Sequence, residues 1–349
     1  MHVASRRLLM AICWCCCCWM ATCSAFAQDR NFVELEVVAD AGTMLESGQK
    51  WLEKLSDVGA DTVRMNQARG GARPDVKKTK TASGGSYKIT GVINSRGQLV
   101  LPGGRFSLRD TDKISAYVES IRADGAEVAL AEKMAFGLTA EQLVALHTDL
   151  TPTYQSATTG ATPAQILTNI RSTCKVTIVM DESARGALES DYTLEDELKG
   201  LSQGTVLAAA LRPLGLVAAP RREQGKQTEI VITDSRRAEE HWPIGWPLQS
   251  RPSKTVPKLY ERIPVNIKNY TLKATLDAIQ KSVELPFLYD RNSMARTGIE
   301  LEEIRVSLSA EKLAYQLVLD KIVAQARPRL SLDVRVDESG KAFLWFSSR

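Results

Sequence analysis

Two aspartates are the clearest candidates for chemistry, because each closes a short apolar run in one of two similar segments. The segments read GATPAQILTNIRSTCKVTIVMD (160–181) and NYTLKATLDAIQKSVELPFLYD (269–290), which places Asp181 and Asp290 at matching positions. Such a carboxylate could contact a ligand or partner, as could the adjacent Tyr289. It could also accept hydrogen bonds from the turn or short helix that follows. Asp is a favoured turn residue, so the sequence favours capping.

Histidine and cysteine offer no arrangement for metal or nucleophilic chemistry. Beyond residue 27 the chain carries only His147, His241 and Cys174, which are far apart in sequence, whereas metal ligands usually recur at short spacings. His147 and Asp149 would face different directions on a helix. No nucleophile-elbow serine or glycosidase-like carboxylate pair stands out. We expect a non-enzymatic protein without cofactor or metal, with an unrecognised hydrolase site as the remote alternative.

Two short motifs could contact anions. LPGGRF (101–106) sets paired glycines beside an arginine, but it lacks the strand-to-helix order and the lysine of a phosphate loop, so it predicts a turn. KKTK (77–80) lies in a basic stretch rich in glycine and serine, 69–86. That stretch could touch an anionic polymer, but a solvated loop is the simpler expectation.

A proline-rich segment, 236–260, carries Trp242 and Trp246. Proline disfavours helix interiors and central strands, so this segment predicts an extended linker or a strap across a surface. The tryptophans could pin the strap onto a neighbouring domain, because buried aromatic side chains contribute large apolar areas. Alternatively, they could form a stacking platform for a sugar or a peptide.

The first 27 residues resemble a secretory leader, with Arg6 and Arg7 before an apolar run and Ala25-Phe26-Ala27 as a cleavage site. Cleavage after Ala27 predicts a periplasmic or secreted protein. A lipid anchor on Cys23 is disfavoured, because Thr22 fits such a site poorly. Cys174 would then be the single cysteine, which excludes an internal disulfide and indicates a buried small side chain.

Composition excludes several partner classes. Charged residues make up 25% and hydrophobic residues 44% of the 349 residues, as in soluble proteins of two or three domains. The formal charge of +4 becomes +2 when Arg6 and Arg7 are removed, which does not favour nucleic acid or an anionic membrane. No other apolar stretch of about 18 residues exists, so no transmembrane segment is expected in the mature chain.

The sequence predicts an α+β fold in three small domains of α/β-sandwich type. Residues 28–135 form an N-terminal domain of unknown family, with strands predicted at FVELEVVAD, DTVRMNQA, YKITGVI and QLVLPG, and helices at TMLESGQKWLEKLSDVG and LRDTDKISAYVESIRADG. Residues 136–235 and 261–349 are repeats, each with a capped helix, a buried strand, a second helix and a hairpin. Each repeat should therefore place two helices on a small sheet.

The second repeat resembles the short N-terminal domain found ahead of secretins and TonB-dependent receptors. Leu272, Leu276 and Ile279 occupy the helix positions of that pattern, and Phe287, Tyr289 and Asp290 occupy the end of the strand. The first repeat matches more weakly. The resemblance implies a periplasmic, non-catalytic module that docks other proteins or self-assembles.

These observations favour a bacterial cell-envelope protein that binds a protein partner or itself. No segment for an outer-membrane barrel follows the second repeat, so we expect an adaptor or stand-alone protein. Duplicated domains could raise avidity by presenting two similar docking faces. The alternative is a cell-wall or polysaccharide-binding surface protein that uses Trp242, Trp246 and the basic stretch.

Overall fold

The computed structural model describes residues 31–68, 71–81 and 84–348. The predicted leader, residues 1–27, lies outside the described residues. The chain forms two compact units that divide between Ala131 and Glu132, and both contain helices and sheets, which confirms the α+β class. Within the described residues, no helix is long and apolar enough to cross a membrane.

The first unit is one mixed sheet with helices. Its elements are β1 (Phe32–Ala39), α1 (Ala41–Thr43), a π-helical segment (Met44–Gly48), α2 (Gln49–Leu55), β2 (Thr62–Gln67), β3 (Asp75–Thr81), β4 (Gly84–Ile93), β5 (Leu99–Leu101), β6 (Gly104–Phe106), α3 (Thr111–Asp124) and α4 (Ala126–Ala129). The sheet order is β2-β1-β4-β5-β6, and β3 also pairs with β4. Strand β1 is parallel to both of its neighbours.

Alternation along β1 fixes which side chains enter the core of this unit. Val33, Leu35 and Val37 are fully buried, together with Trp51 and Ile114 from the helices. Successive side chains of a strand point to opposite faces, so these three valine and leucine positions share the inner face. The acidic residues between them face outward.

One local prediction in the first unit was wrong, because most of 69–86 is not a solvated loop. Residues 75–81 form β3, which is antiparallel to β4 with Val76 opposite Ile89. Valine and threonine favour strands, and lysines suit an edge strand because they disfavour pairing with further chains. LPGGRF is a hairpin turn as predicted, with Leu101 opposite Gly104.

The second unit contains both repeats. The first consists of α5 (Ala140–Leu150), α6 (Pro163–Thr173), β7 (Thr177–Met180), α7 (Glu182–Leu188), α8 (Gln203–Leu211), β8 (Leu216–Arg221) and β9 (Glu229–Asp234). The segment after it contains β10 (Trp246–Pro247) and α9 (Pro252–Thr255). The second repeat consists of β11 (Arg262–Thr271), α10 (Leu272–Val283), β12 (Phe287–Tyr289), α11 (Arg291–Thr297), β13 (Arg305–Ala314), α12 (Tyr315–Val323), β14 (Leu330–Val336) and β15 (Ala342–Ser348).

The two repeats share one strand arrangement. The first sheet has the order β7-β9-β8, and the second continues β12-β15-β14 into β10. The strand that follows α6 or α10 is parallel to the last strand of its repeat: β7 pairs with β9, and β12 pairs with β15. The two hairpin strands of each repeat are antiparallel. Helices α6 and α10 start alike, because Thr162 and Thr271 each accept a hydrogen bond from the backbone amide three residues later.

The second repeat carries an additional two-stranded ribbon, β11 paired with β13. At the corresponding place in the first repeat only Thr153 and Ser202 form an isolated bridge. The sequence pattern at 310–326 predicts one helix, but the helix starts at Tyr315, because the preceding residues pair with β11. Strand pairing thus prevails over the helix-forming composition of AEKLA.

The proline-rich segment is a strap with more regular structure than predicted. Trp246 and Pro247 pair with Val336 and Arg335 at the edge of the second sheet. The short helix α9 was not expected. Pro252 occupies its first turn, where a backbone amide has no acceptor within the helix, so the missing N–H of proline costs nothing there. Proline therefore excludes helix interiors but not helix starts.

The second repeat has a core of its own but also contributes side chains to the core of the first, and the predicted count of three domains is not confirmed. Leu288, Phe343 and Trp345 of the second repeat lie in the same buried cluster as the hydrophobic residues of the first repeat. Burying these side chains within the second repeat alone would leave that cluster incomplete. The strap joins this cluster through Trp242.

Candidate functional site

Asp181 caps helix α7, as the sequence favours. Its carboxylate accepts hydrogen bonds from the Ala184 amide (2.9 Å), the Ser183 hydroxyl (2.6 Å) and the Thr233 hydroxyl (2.6 Å). Partial burial acts to raise the pKa of Asp181, but these hydrogen bonds together outweigh it, so that the pKa lies below its ordinary value. All partners come from the first repeat.

Asp290 also caps the helix that follows it, but it has a second partner in the other repeat. It accepts the Ser293 amide at 3.0 Å, and Arg212 donates to it through Nη2 at 3.0 Å and Nε at 3.2 Å. Asp290 is only 4% exposed. The carboxylate that caps α11 therefore also joins the two repeats.

Tyr289 is placed inside the unit rather than on its surface. Its ring stacks on Phe346 with 5.1 Å between the centroids, and the Arg291 guanidinium lies 5.0 Å from its centroid. Burial raises the pKa of the phenol, and among the described residues its hydroxyl has no hydrogen-bond partner. In this conformation Tyr289 is not available to an external partner.

A partly buried aspartate holds the same edge of the second sheet. Asp196 of the first repeat accepts the backbone amide of Tyr289 at 3.1 Å and pairs with Arg291 at 3.0 Å. Burial raises the pKa of Asp196, although Arg291 opposes the shift. This contact closes the interface between the repeats at the side where β12 ends.

Glu338 holds the strap and the first repeat to the β14–β15 turn. Its carboxylate accepts Trp242 Nε1 at 2.6 Å, the Thr205 hydroxyl at 2.9 Å and the Thr205 amide at 3.1 Å. Burial raises its pKa, and the hydrogen bonds act in the opposite direction. Trp242 is 1% exposed, so neither face of its ring is free to stack on a sugar.

Trp246 borders a groove of about 770 Å³. We call it the Trp246 groove, and its main lining side chains are Leu143, Val144, His147, Trp246, Leu248 and Val336. Helix α5 supplies the first three, the strap the next two and β14 the last. The groove therefore exists only because the first repeat, the strap and the second repeat pack together.

The chemistry of the Trp246 groove is that of an apolar contact surface. Val144 is 66% exposed, although it is apolar. The His147 ring lies 6.0 Å from the Trp246 ring, and burial lowers the pKa of His147, which favours the neutral imidazole. Trp246 Nε1 is buried and has no acceptor among the described residues.

Cys174 has the surroundings of a structural cysteine. Cys174 ends α6 and is half-buried, and burial raises the pKa of its thiol, which disfavours the reactive thiolate. Among the described residues, no group of three His, Cys, Asp or Glu side chains is placed to hold a metal ion. This arrangement offers no activated nucleophile at Cys174.

Sequence reasoning missed the residues that join the repeats. Arg212, Asp196 and Glu338 stand in positions without a recognisable motif, and their importance depends on contacts across 78 to 133 residues of chain. A partial signal was the arginine in TVLAAALRPLG, which directly follows an otherwise apolar helix. Its partner could not be identified without the fold.

Comparison of the chain with family models, with curated proteins and with solved structures returned no match.

Proposed function

We propose that this protein is exported to the bacterial cell envelope and acts there without catalysis, by docking a partner protein. The leader-like N-terminus and the resemblance of the repeats to the short domain ahead of secretins and TonB-dependent receptors support export and docking. The observation that carries the docking role is the Trp246 groove, an apolar depression of about 770 Å³ on the second unit.

The lining of the groove favours an apolar stretch of polypeptide as the ligand. Val144, Leu143 and Leu248 present aliphatic surface, and an exposed apolar patch commonly marks a protein contact. At roughly 25 cal/mol per Å² of apolar surface removed from water, a few partner side chains in the groove would supply several kcal/mol.

A glycan ligand is supported less well. Sugar binding uses an open aromatic face surrounded by free polar groups, but Trp242 is covered and Glu338 is occupied by Trp242 and Thr205. Of the two tryptophans, only Trp246 would then remain for the polysaccharide-binding alternative, beside the basic stretch 69–86. The test of this alternative is pelleting with peptidoglycan, which Trp246→Ala should abolish if the alternative is right.

The packing of the repeats changes how the docking is expected to work. Asp290, Tyr289 and Asp196 lie at the contact between the repeats, so the two repeats do not offer two equal faces. We propose one docking surface per chain. Each chain would therefore bind one partner molecule or one second copy of the protein at this surface.

A matched pair of variants tests the proposal. Val144→Glu places a charge in the groove, whereas Leu317→Glu places the same charge on α12, where Leu317 is 44% exposed and does not line the groove. Exposed substitutions change stability by about 0.5 kcal/mol or less. Partner recovery after in-cell crosslinking should fall about tenfold for Val144→Glu, because a buried charge in the complex costs more than 1.4 kcal/mol.

The Leu317→Glu protein should recover the same partner as the unmodified protein. Equal recovery by both variants would contradict docking in the groove. Recovery of the protein itself, lost only in Val144→Glu, would identify self-assembly as the form that docking takes.

A further inference from the structure

A second cavity, of about 370 Å³, lies between the two repeats and the strap. Its charged and titratable lining residues are Arg212, His241, Asp290, Arg296 and Arg335. Its size falls at the lower end of the range of small-molecule sites. We call it the arginine cavity.

Positive charge exceeds negative charge in the arginine cavity. Arg212, Arg296 and Arg335 line it, and Asp290 is the only acidic residue among the described residues that do so. Asp290 is already engaged by Arg212 and by the Ser293 amide. It therefore neutralises one of the three guanidinium groups, and the other two have no carboxylate partner among the described residues that line the cavity.

The guanidinium groups of Arg296 and Arg335 differ in their contacts. Arg335 donates to the Ile244 carbonyl at 3.0 Å, lies 5.5 Å from the Trp345 ring centroid and approaches Asp333 only at 3.5 Å. Burial lowers the pKa of Arg335, which reflects partial loss of its hydration. Arg296 is exposed, and within the described part of the chain it forms no ion pair.

The rest of the lining is mixed, with the hydroxyl-bearing residues Ser293, Ser347 and Ser348 beside an apolar and aromatic wall. Trp242, Ile244 and Trp345 contribute to the wall. A ligand that matches both parts has a compact anionic head and a small apolar or flat body. An anion bound here could accept charge-assisted hydrogen bonds from the guanidinium groups, which are stronger than hydrogen bonds between neutral groups.

We propose that the arginine cavity binds a small ligand that carries a phosphate group, with the phosphate between Arg296 and Arg335. Guanidinium groups present forked donors that match the oxygens of phosphate. In the part of the chain that the structure describes, neither Arg296 nor Arg335 has a carboxylate partner inside the cavity, although Arg335 pairs with Asp333 outside it at 3.5 Å. Phosphate has more acceptor oxygens than a single carboxylate and can accept from both guanidinium groups at once. The apolar wall then distinguishes a phosphate ester from inorganic phosphate.

The test uses the full mature chain and three probes: phenyl phosphate, inorganic phosphate and phenol. Isothermal titration calorimetry should show binding of phenyl phosphate with a dissociation constant of about 1 mM or tighter. Inorganic phosphate should bind more weakly, and phenol should not bind measurably. Binding of inorganic phosphate alone would restrict the site to a free anion and overturn the phosphate-ester proposal.

Two matched variants locate the site. Arg296→Gln removes an exposed guanidinium of the cavity and should weaken phenyl phosphate binding about tenfold. Arg185→Gln removes an exposed arginine from α7, the helix of the first repeat that corresponds to α11. It should leave binding unchanged.

Equal weakening by Arg185→Gln would indicate nonspecific charge attraction and would overturn the proposal, as would unchanged binding by Arg296→Gln. Equal affinity for phenol and phenyl phosphate would also contradict it. The proposal does not depend on docking in the Trp246 groove. Val144→Glu changes no residue of the arginine cavity, so each proposal can fail without the other.

Discussion

The two repeats of the second unit have the same strand order, yet they use their matching aspartates differently. Asp181 is bound entirely within its own repeat, whereas Asp290 is bound by Arg212 of the other repeat. The capping role is common to both and comes from the local chain. The difference arises where one repeat packs on the other, and it shows that a duplicated module can turn part of its surface toward its own copy.

The largest expected effect tests whether the repeats form one folding unit. Trp345→Ala removes a side chain of the second repeat that is 5% exposed and lies in the core of the first. We expect a loss of about 3–5 kcal/mol in the free energy of unfolding. Hydrogen exchange should show faster opening in both β9 and β14. Faster exchange in β14 alone would mean that the repeats unfold separately.

The next effect tests the difference between the aspartates. Asp290→Asn keeps a capping side chain but removes the charge that pairs with Arg212. It should lower the free energy of unfolding by about 1–3 kcal/mol, since the hydrogen bonds to a charged group are lost. Asp181→Asn is the matched control and should cost less than about 1 kcal/mol. Urea unfolding of both variants would measure the difference, and equal losses would remove the distinction.

The pH dependence of stability tests the raised pKa values of Asp196 and Glu338, two carboxylates at the contact between the repeats. Burial raises the pKa of Asp196 and of Glu338 in the folded protein. The folded state then holds more protons than the unfolded state between the ordinary carboxyl pKa and the raised values. Stability from these groups is therefore present at low pH and is lost as pH rises through the raised pKa, by at most about 1.4 kcal/mol per pH unit for each group.

The measurement for this pH effect is urea unfolding between pH 4 and pH 8, with the unmodified protein and Glu338→Gln. The variant should show a shallower decline with rising pH, because one titrating group is absent. An identical slope in both proteins would exclude Glu338 as a source of the pH dependence.

The smallest effect tests what the repeats have in common. Thr162→Ala and Thr271→Ala each remove an N-cap hydrogen bond at the start of the first helix of a repeat. Each should cost about 1 kcal/mol in thermal unfolding. If only one of the two substitutions lowers the free energy of unfolding, the N-caps of α6 and α10 do not contribute equally to stability.

Local patterns in the sequence predicted the parts of the fold that depend on neighbouring residues. The capped helices, the strands at 177–180 and 287–289 and the hairpins are present, because periodicity, caps and turn residues act over a few positions. Only the second of these strands is buried throughout, whereas in the first only Ile178 is buried. The predicted start of the helix at residue 310 was wrong, because residues 310–314 belong to β13, which pairs with β11.

The candidate site was predicted only in part. The tryptophans of the strap were identified from composition, but the burial of Trp242 depends on Glu338, which lies 96 residues away. The Trp246 groove likewise requires α5, the strap and β14 to meet. Contacts at such separations leave no local pattern, so the sequence of one chain did not reveal them.

A partner that docks in the Trp246 groove would lie against Val144. The most direct test of docking is in-cell photocrosslinking with a photoreactive residue placed at position 144 in the groove and, separately, at position 317 on α12. Docking predicts that one envelope protein, or a second copy of the chain, is crosslinked from position 144 and not from position 317. Crosslinks of equal yield from both positions, or none from position 144, would contradict docking in the groove.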